Sequence, residues 1–226
     1  MRPVEVLARE KTPEGDELVL SRRDDVYHLI VDNVELMTSR VHGSEEDLAR
    51  LACGAIAGRK APRVLVGGLG FGYTLRAALD HSPPDATVVV CEVFPTLLDW
   101  NRKLLGYLAR EPLEDRRVKV VLADVRTLFA GRERFDAILL DVDNGPEALT
   151  LRTNGGLYTR DGLERLSRSL TDGGVVAFWS SSPSPAFEKR LRRAGFEAWT
   201  ERVPDREGGK RKNHVIFLAR RLARRR

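Results

Sequence analysis

Residues 63–76 read RVLVGGLGFGYTLR, and this stretch decides the fold. Apolar residues of the kind that fill a buried strand run straight into a glycine-rich turn, and a helical stretch begins near Tyr73. That order brings bare backbone amides and a helix N-terminus close to a ligand. Gly68, Gly70 and Gly72 fit the spacing GxGxG. The dinucleotide fingerprint GxGxxG needs a third glycine where Tyr73 or Leu75 stands, so a nucleoside is indicated and NAD is the weaker choice.

Working outward, the same kind of strand recurs as TVVVCE, VKVVLAD, FDAILLD and GGVVAFWS, separated by helical stretches beginning near Pro95, Val125 and Arg160. Continuous apolar runs alternating with helices are the mark of parallel strands with crossover helices. After the fifth strand come the helix SPAFEKRLRRAG and two late strands, FEAWTERV and NHVIFLARR, joined by the polar loop 204–212. The expected fold is therefore α/β and Rossmann-like, of the class I methyltransferase kind: a mostly parallel seven-stranded sheet closing in a C-terminal antiparallel hairpin. Upstream, VEVLARE, ELVLSRR, VYHLIVD and VELMTSR read as a small antiparallel β-unit, with a turn at Pro13-Glu14-Gly15. The stretch SEEDLARLACGAIAG reads as a helix with Ser44 as N-cap, ended by Gly58. The expected division is an N-terminal β-unit over 1–43 and a nucleoside-binding catalytic domain over 44–226.

Three further strand ends converge on the glycine loop. Glu92 closes the second strand, where a carboxylate accepts both ribose hydroxyls of a nucleoside. Asp124 closes the third, where it takes an adenine exocyclic amine while Val125 packs on the ring. The fourth strand ends in Asp141-Val142-Asp143-Asn144-Gly145-Pro146-Glu147, placing acidic and turn-forming residues at the carboxyl edge of the sheet beside the ligand crevice. Asp141 and Asp143 are the candidate catalytic residues, and the acidic cluster favours a cationic or amine acceptor. Phe71, Tyr73, Trp100 and Tyr158 are candidate pocket walls, with core packing the simpler role for each.

Composition sets the frame. The 226 residues are 42% hydrophobic and 31% charged, enough for one well-cored domain and a small appendage. Much of the net charge of +5 sits after position 186, ending in Arg220, Arg221, Arg224, Arg225 and Arg226, a basic tail rather than a basic face. Cys53 and Cys91 lie in apolar runs without CxxC spacing, so no disulfide or metal site is expected. No signal-like stretch and no run of apolar residues long enough to span a bilayer is visible, so a cytoplasmic protein without a membrane segment is expected.

The runs RVLVGGLGFG, CEVFPTLLDWNR, VVLADVRTLF, FDAILLDVDNGPEALT and LYTRDGLERLSRSLTDGGVVAFWS, in this order, resemble the spermidine synthase family, the polyamine aminopropyltransferase branch of the methyltransferase fold. The resemblance covers roughly residues 30 to 185 and implies a loop of Gly68, Gly70 and Gly72, a ribose ligand at Glu92, an adenine ligand at Asp124 and a catalytic aspartate at Asp141. Two departures stand out. The family's loop is usually GGGDGG, and its acid falls here on Gly70; the tyrosine of its YHE motif is absent, with Ser44-Glu45-Glu46 nearby. A loop aspartate neutralises the bare ammonium of decarboxylated S-adenosylmethionine and would repel the carboxylate of the intact form.

The resulting expectation is methyl transfer from S-adenosylmethionine to a small amine-containing acceptor. Aminopropyl transfer from the decarboxylated form to a polyamine is the alternative. A nucleoside- or RNA-binding module using the basic tail is the third reading, disfavoured because no basic patch interleaved with aromatics is present. The N-terminal unit lacks an evident core of its own and must dock on the main domain or on a second subunit, which leaves a homodimer open.

Overall fold

The computed structural model describes residues 3–11, 15–142, 145–146, 152–204 and 213–222. Its first element is a four-stranded antiparallel sheet in the order β1-β2-β3-β4, formed by β1 (Glu5–Lys11), β2 (Glu17–Arg23), β3 (Val26–Val31) and β4 (Val34–Thr38). Helix α1 (Gly43–Gly54) leads into the main sheet. That sheet contains β5 (Arg63–Gly67), β6 (Thr87–Glu92), β7 (Val118–Leu122), β8 (Phe135–Leu140), β9 (Leu170–Ser180), β10 (Phe196–Pro204) and β11 (Asn213–Arg221), in the order β10-β11-β9-β8-β5-β6-β7. The strands from β7 through β9 run parallel, and β11 lies antiparallel between β9 and β10. The α/β architecture with a seven-stranded, mostly parallel sheet, a C-terminal hairpin and a small N-terminal antiparallel sheet is as the apolar runs indicate.

The connecting helices are α2 (Tyr73–Asp80), α3 (Pro95–Trp100), α4 (Val125–Leu128), α5 (Arg160–Ser169) and α6 (Pro185–Arg193). Both faces of the sheet are covered at its centre, which is why β5, β6 and β8 are apolar with little alternation. On one face, Val64, Val66, Val88, Val90 and Leu139 pack under Leu48 and Ala52 of α1 and Leu75 and Leu79 of α2. On the other, Leu65, Val89, Ile138 and Phe178 pack under α4, α5 and α6 through Val125, Leu166, Phe187 and Leu191. A third cluster joins the two sheets: Leu18, Leu20, Tyr27 and Leu29 of the small sheet pack on Phe71, Phe94, Leu97 and Trp100. The small sheet thus takes its core from the glycine loop and α3.

Two local readings are corrected. Helix α1 begins at Gly43 with His42 as its N-cap, not at Ser44. His42 Nδ1 pairs with Glu46 Oε1 at 2.9 Å, and the Ser44 hydroxyl is turned inward to donate to Glu45 Oε2 at 2.6 Å, so it does not cap. The helix also ends four residues early, at Gly54, with Gly58 closing the following turn at φ +86°. Cys53 and Cys91 are free and buried, and burial raises their thiol pKa values to about 11 and about 12, respectively. Of the basic tail, Arg220 and Arg221 belong to β11. Arg220 stacks over Trp199, and Arg221 donates to the Leu170 carbonyl and pairs with Asp172. Arg224, Arg225 and Arg226 lie outside the described residues.

Candidate active site

The chain runs outward from β5 through β6 to β7, then returns to the other side of β5 for β8. The carboxyl ends of β5 and β8 therefore flank the point where the winding direction reverses, the place at which open α/β sheets bind ligands. Here the Asp141 amide donates to the Gly67 carbonyl at 3.0 Å, closing the crevice floor. Gly68 turns away at φ +89°, and a Cβ on it would stand 2.4 Å from the Asp141 carbonyl oxygen. Only a residue without a side chain permits that approach of two backbones. Gly72 is the N-cap of α2 at φ +88°, so the first turn of the helix faces the crevice end of β5.

Asp141 is the chemically distinctive group. Thr74, in the first turn of α2, donates its hydroxyl to Asp141 Oδ2 at 2.8 Å. The residue keeps partial exposure at the surface, but its carboxyl sits in crowded surroundings whose desolvation pushes the pKa up to about 6, against the opposing Thr74 hydrogen bond. Among the described residues no arginine, lysine or histidine forms an ion pair with it. An anion so placed at neutral pH is an electrostatic invitation to a cation.

Glu92 is almost fully buried, at 4% exposure. Its Oε2 accepts the Leu69 amide at 2.9 Å, and Oε1 accepts the amides of Val93 and Phe94 at 2.7 and 2.8 Å. Burial raises its pKa, partly offset by these three amides. The carboxylate therefore braces the glycine loop. Three of its roughly four acceptor positions are taken, which leaves one for a ligand hydroxyl rather than the pair expected from the sequence.

Asp124 is the N-cap of α4, accepting the Arg126 amide at 2.8 Å. Both its oxygens are also engaged by the Arg126 guanidinium, through Nε at 3.0 and 2.9 Å and through Nη2. This pairing with Arg126 holds the Asp124 carboxyl below the usual carboxylate range. Val125 packs in the core beneath the loop, its Cγ2 only 3.1 Å from where a Gly67 Cβ would be. Asp143 and Glu147 lie outside the described residues.

Several members of the site carry no motif. Met37 of β4 fills the space over Gly70, its sulfur 2.7 Å from a would-be Cβ there. Asn101 anchors the loop from beneath, donating Nδ2 to the Gly70 carbonyl at 2.8 Å. The aromatic candidates pack in different places. Phe71 and Trp100 join the inter-sheet cluster, while Tyr158 packs 5.5 Å from Phe187. Tyr73 stacks on His42 at 3.9 Å and donates to the Ser39 carbonyl. Tyr73 and His42 belong to a separate cleft of about 410 Å³, also lined by Glu46, Arg76 and Asp80, which none of the strand-end residues reaches. Among the described residues no group of three metal-ligating side chains occurs, and no helix is long and apolar enough to cross a membrane.

No family model matches the sequence. The chain is 28% identical over 186 residues to a polyamine aminopropyltransferase of Saccharolobus solfataricus, covering 81% of this chain and 60% of that protein. It is 30% identical over 184 residues to one of Nitrosomonas europaea, covering 74% of this chain and 53% of that protein. It spans three-fifths or less of the curated relatives it matches. Among solved structures it is similar to a spermidine synthase in complex with the transition-state analogue AdoDATO, with a TM-score of 0.77 at 20% identity, over 96% of this chain and 74% of that one. It is also similar to the spermidine synthase of Thermotoga maritima, with a TM-score of 0.74 at 18% identity, over 95% and 72% of the two chains. Sequence and fold thus both resemble the spermidine synthase-like branch.

Proposed function

We propose that this chain transfers an aminopropyl group from decarboxylated S-adenosylmethionine to a small amine or polyamine. The observation that carries the reading is Asp141: a carboxylate at the sheet's switch point, held by Thr74 and with no cationic side chain paired to it among the described residues. A protonated amine supplies the missing charge. Relatives named polyamine aminopropyltransferase favour this reading over the methyl transfer expected from the sequence. Gly70, the position that favoured intact S-adenosylmethionine, lies under Met37, so its lack of an acid reflects packing as much as donor choice.

In the proposed reaction the acceptor nitrogen attacks the aminopropyl carbon bonded to the sulfonium sulfur. The new C–N bond forms as the C–S bond breaks, its electron pair going to sulfur and releasing methylthioadenosine. The reacting nitrogen loses one proton. The sulfonium is already activated, so the protein's tasks are position and proton acceptance. Gly68, Gly70 and Gly72 would let the nucleoside approach the backbone, Glu92 would take one ribose hydroxyl with its remaining acceptor position, and Asp124 would receive the adenine amine. Val125 would act from below, supporting the loop. Asp141 would hold the amine, with Asp143 as its proposed partner. An ordinary amine has a pKa near 10 and, while protonated, no lone pair, so one ammonium proton must pass to Asp141, and from there to solvent, before the nitrogen attacks. The secondary ammonium formed keeps its other two protons.

The test offers the protein decarboxylated and intact S-adenosylmethionine with a panel of diamines and triamines, following methylthioadenosine and S-adenosylhomocysteine separately. Methylthioadenosine formed only with the decarboxylated donor and an amine is the expected result. S-adenosylhomocysteine from the intact donor would restore the methyl-transfer reading.

A further inference from the structure

The geometry points to Arg126 as a latch on the adenine site, a positioning residue that occupies the Asp124 carboxylate until a nucleoside displaces it. The inference rests on the proposed role of Asp124 as the adenine ligand.

Asp124 has about four acceptor positions. The Arg126 amide and Nε share Oδ1, and Nε and Nη2 share Oδ2. Two donors thus lie against each oxygen, with the single Nε hydrogen shared between them, so an exocyclic amine, itself a hydrogen-bond donor, has to compete with the guanidinium for the carboxylate. A guanidinium presents donors only, so an adenine amine brought to Asp124 meets donor against donor unless Arg126 withdraws. The amide contact is the helix cap and stays; the guanidinium contacts are the ones that must yield. Both side chains are partly exposed, 30% for Asp124 and 39% for Arg126, so the exchange requires no repacking of the core.

The guanidinium already borders a second element on its far side, the turn Arg152–Tyr158: a Cβ on Gly156 would stand 3.4 Å from Arg126 Nη1. The carboxyl end of that turn is fixed from α6, where Arg190 Nη1 donates to the Tyr158 carbonyl at 3.0 Å. Arg126 thus stands between the proposed adenine ligand and a turn at the edge of the crevice. Entry of adenine would shift it from the first toward the second. A base with an oxo group in place of the amine presents an acceptor instead. The latched guanidinium satisfies such a base without moving, so the latch lowers the preference for adenine over hypoxanthine.

Calorimetry of the full chain with methylthioadenosine and methylthioinosine tests this. Arg126→Ala is expected to tighten methylthioadenosine binding about threefold to fivefold, the worth of one well-formed exposed ion pair, and to raise the ratio of the two affinities. Asp124→Asn should weaken methylthioadenosine, and adding Arg126→Ala to it should then change nothing, because the arginine acts through the carboxylate. Weaker or unchanged binding by Arg126→Ala, with Asp124→Asn still harmful, overturns the latch and leaves the adenine site standing. Unchanged binding by Asp124→Asn removes the adenine role and the latch together. A purely structural Arg126 would lower the melting temperature without moving the ratio.

Discussion

The hydroxyl of Thr74 donates to Asp141 across the crevice between the first turn of α2 and the end of β8, at 2.8 Å. It ties the helix that follows the glycine loop to the acidic group at the end of β8, whose pKa burial drives up. The opposing effects of desolvation and this hydrogen bond leave Asp141 at about 6, above the ordinary 3.8.

The acid limb of kcat/KM should therefore fall near pH 6, with activity lost below it as Asp141 is protonated. Thr74→Val removes the contact that favours the charged form and should move that limb up by about one unit, as loss of ~1.4 kcal/mol of such stabilisation implies. Asp141→Asn should abolish the limb together with most activity. Stability carries the opposite sign. The folded state keeps a proton that the unfolded chain releases, so this contribution is full below pH 3.8 and is lost as pH rises through about 6. Chemical denaturation of wild type and Asp141→Asn across pH 4–7 measures it.

Gly68→Ala puts a Cβ 2.4 Å from the backbone oxygen of Asp141, in a conformation that side-chain-bearing residues avoid. Neither strand end can move without disturbing the sheet. A loss of about 3 kcal/mol or more is expected, with nucleoside affinity falling at least as far. Gly58→Ala, also at positive φ but with nothing within 4 Å, is the comparison and should cost only about 1 kcal/mol.

Glu92→Gln replaces one acceptor oxygen by a donor while three backbone amides remain to be satisfied. The amide oxygen will turn to Val93 and Phe94, where two donors wait, leaving the Leu69 amide facing an NH₂ group. A destabilisation of about 1–3 kcal/mol is expected in a thermal melt. Because the unpaired amide belongs to the glycine loop, methylthioadenosine should also bind at least tenfold more weakly.

Gly145 tests the acceptor side. Its φ is +109°, and a Cβ there would meet the Ser180 hydroxyl oxygen at 2.1 Å. Gly145→Ala should displace the segment that leaves β8. The acceptor KM should rise severalfold while nucleoside affinity, measured without acceptor, stays within about twofold.

The strand ends were legible because β5, β6 and β8 are buried on both faces and run abruptly into a glycine or charged residue, Gly67, Glu92 and Asp141, while the edge strand β7 is apolar enough to be seen before Asp124. The set of parallel strands and the terminal hairpin followed from the same runs. What the sequence concealed were contacts set by three-dimensional phase. Thr74 reaches Asp141 only because α2 leaves Gly72 at a particular angle. Arg126 looks like an ordinary helix cation until its fork closes on Asp124. Ser44 resembles a cap by residue type, but its hydroxyl turns inward to Glu45 and the helix starts one residue earlier, at Gly43, with His42 as the N-cap. The aromatics were ambiguous for the same reason, since nothing in their spacing separates a pocket wall from the packing of Tyr158 against Phe187.

Met37 lies in the small sheet and Gly70 in the loop after β5, yet the sulfur of one occupies the space a side chain on the other would need. The two positions are thus linked in the order in which they can change. An aspartate arriving first at 70 would meet a thioether already in place, whereas a smaller residue arriving first at 37 would leave only a void, the milder defect. Any drift of this loop toward an acidic donor clamp has to begin in the small sheet, thirty-three positions upstream of the glycine it concerns.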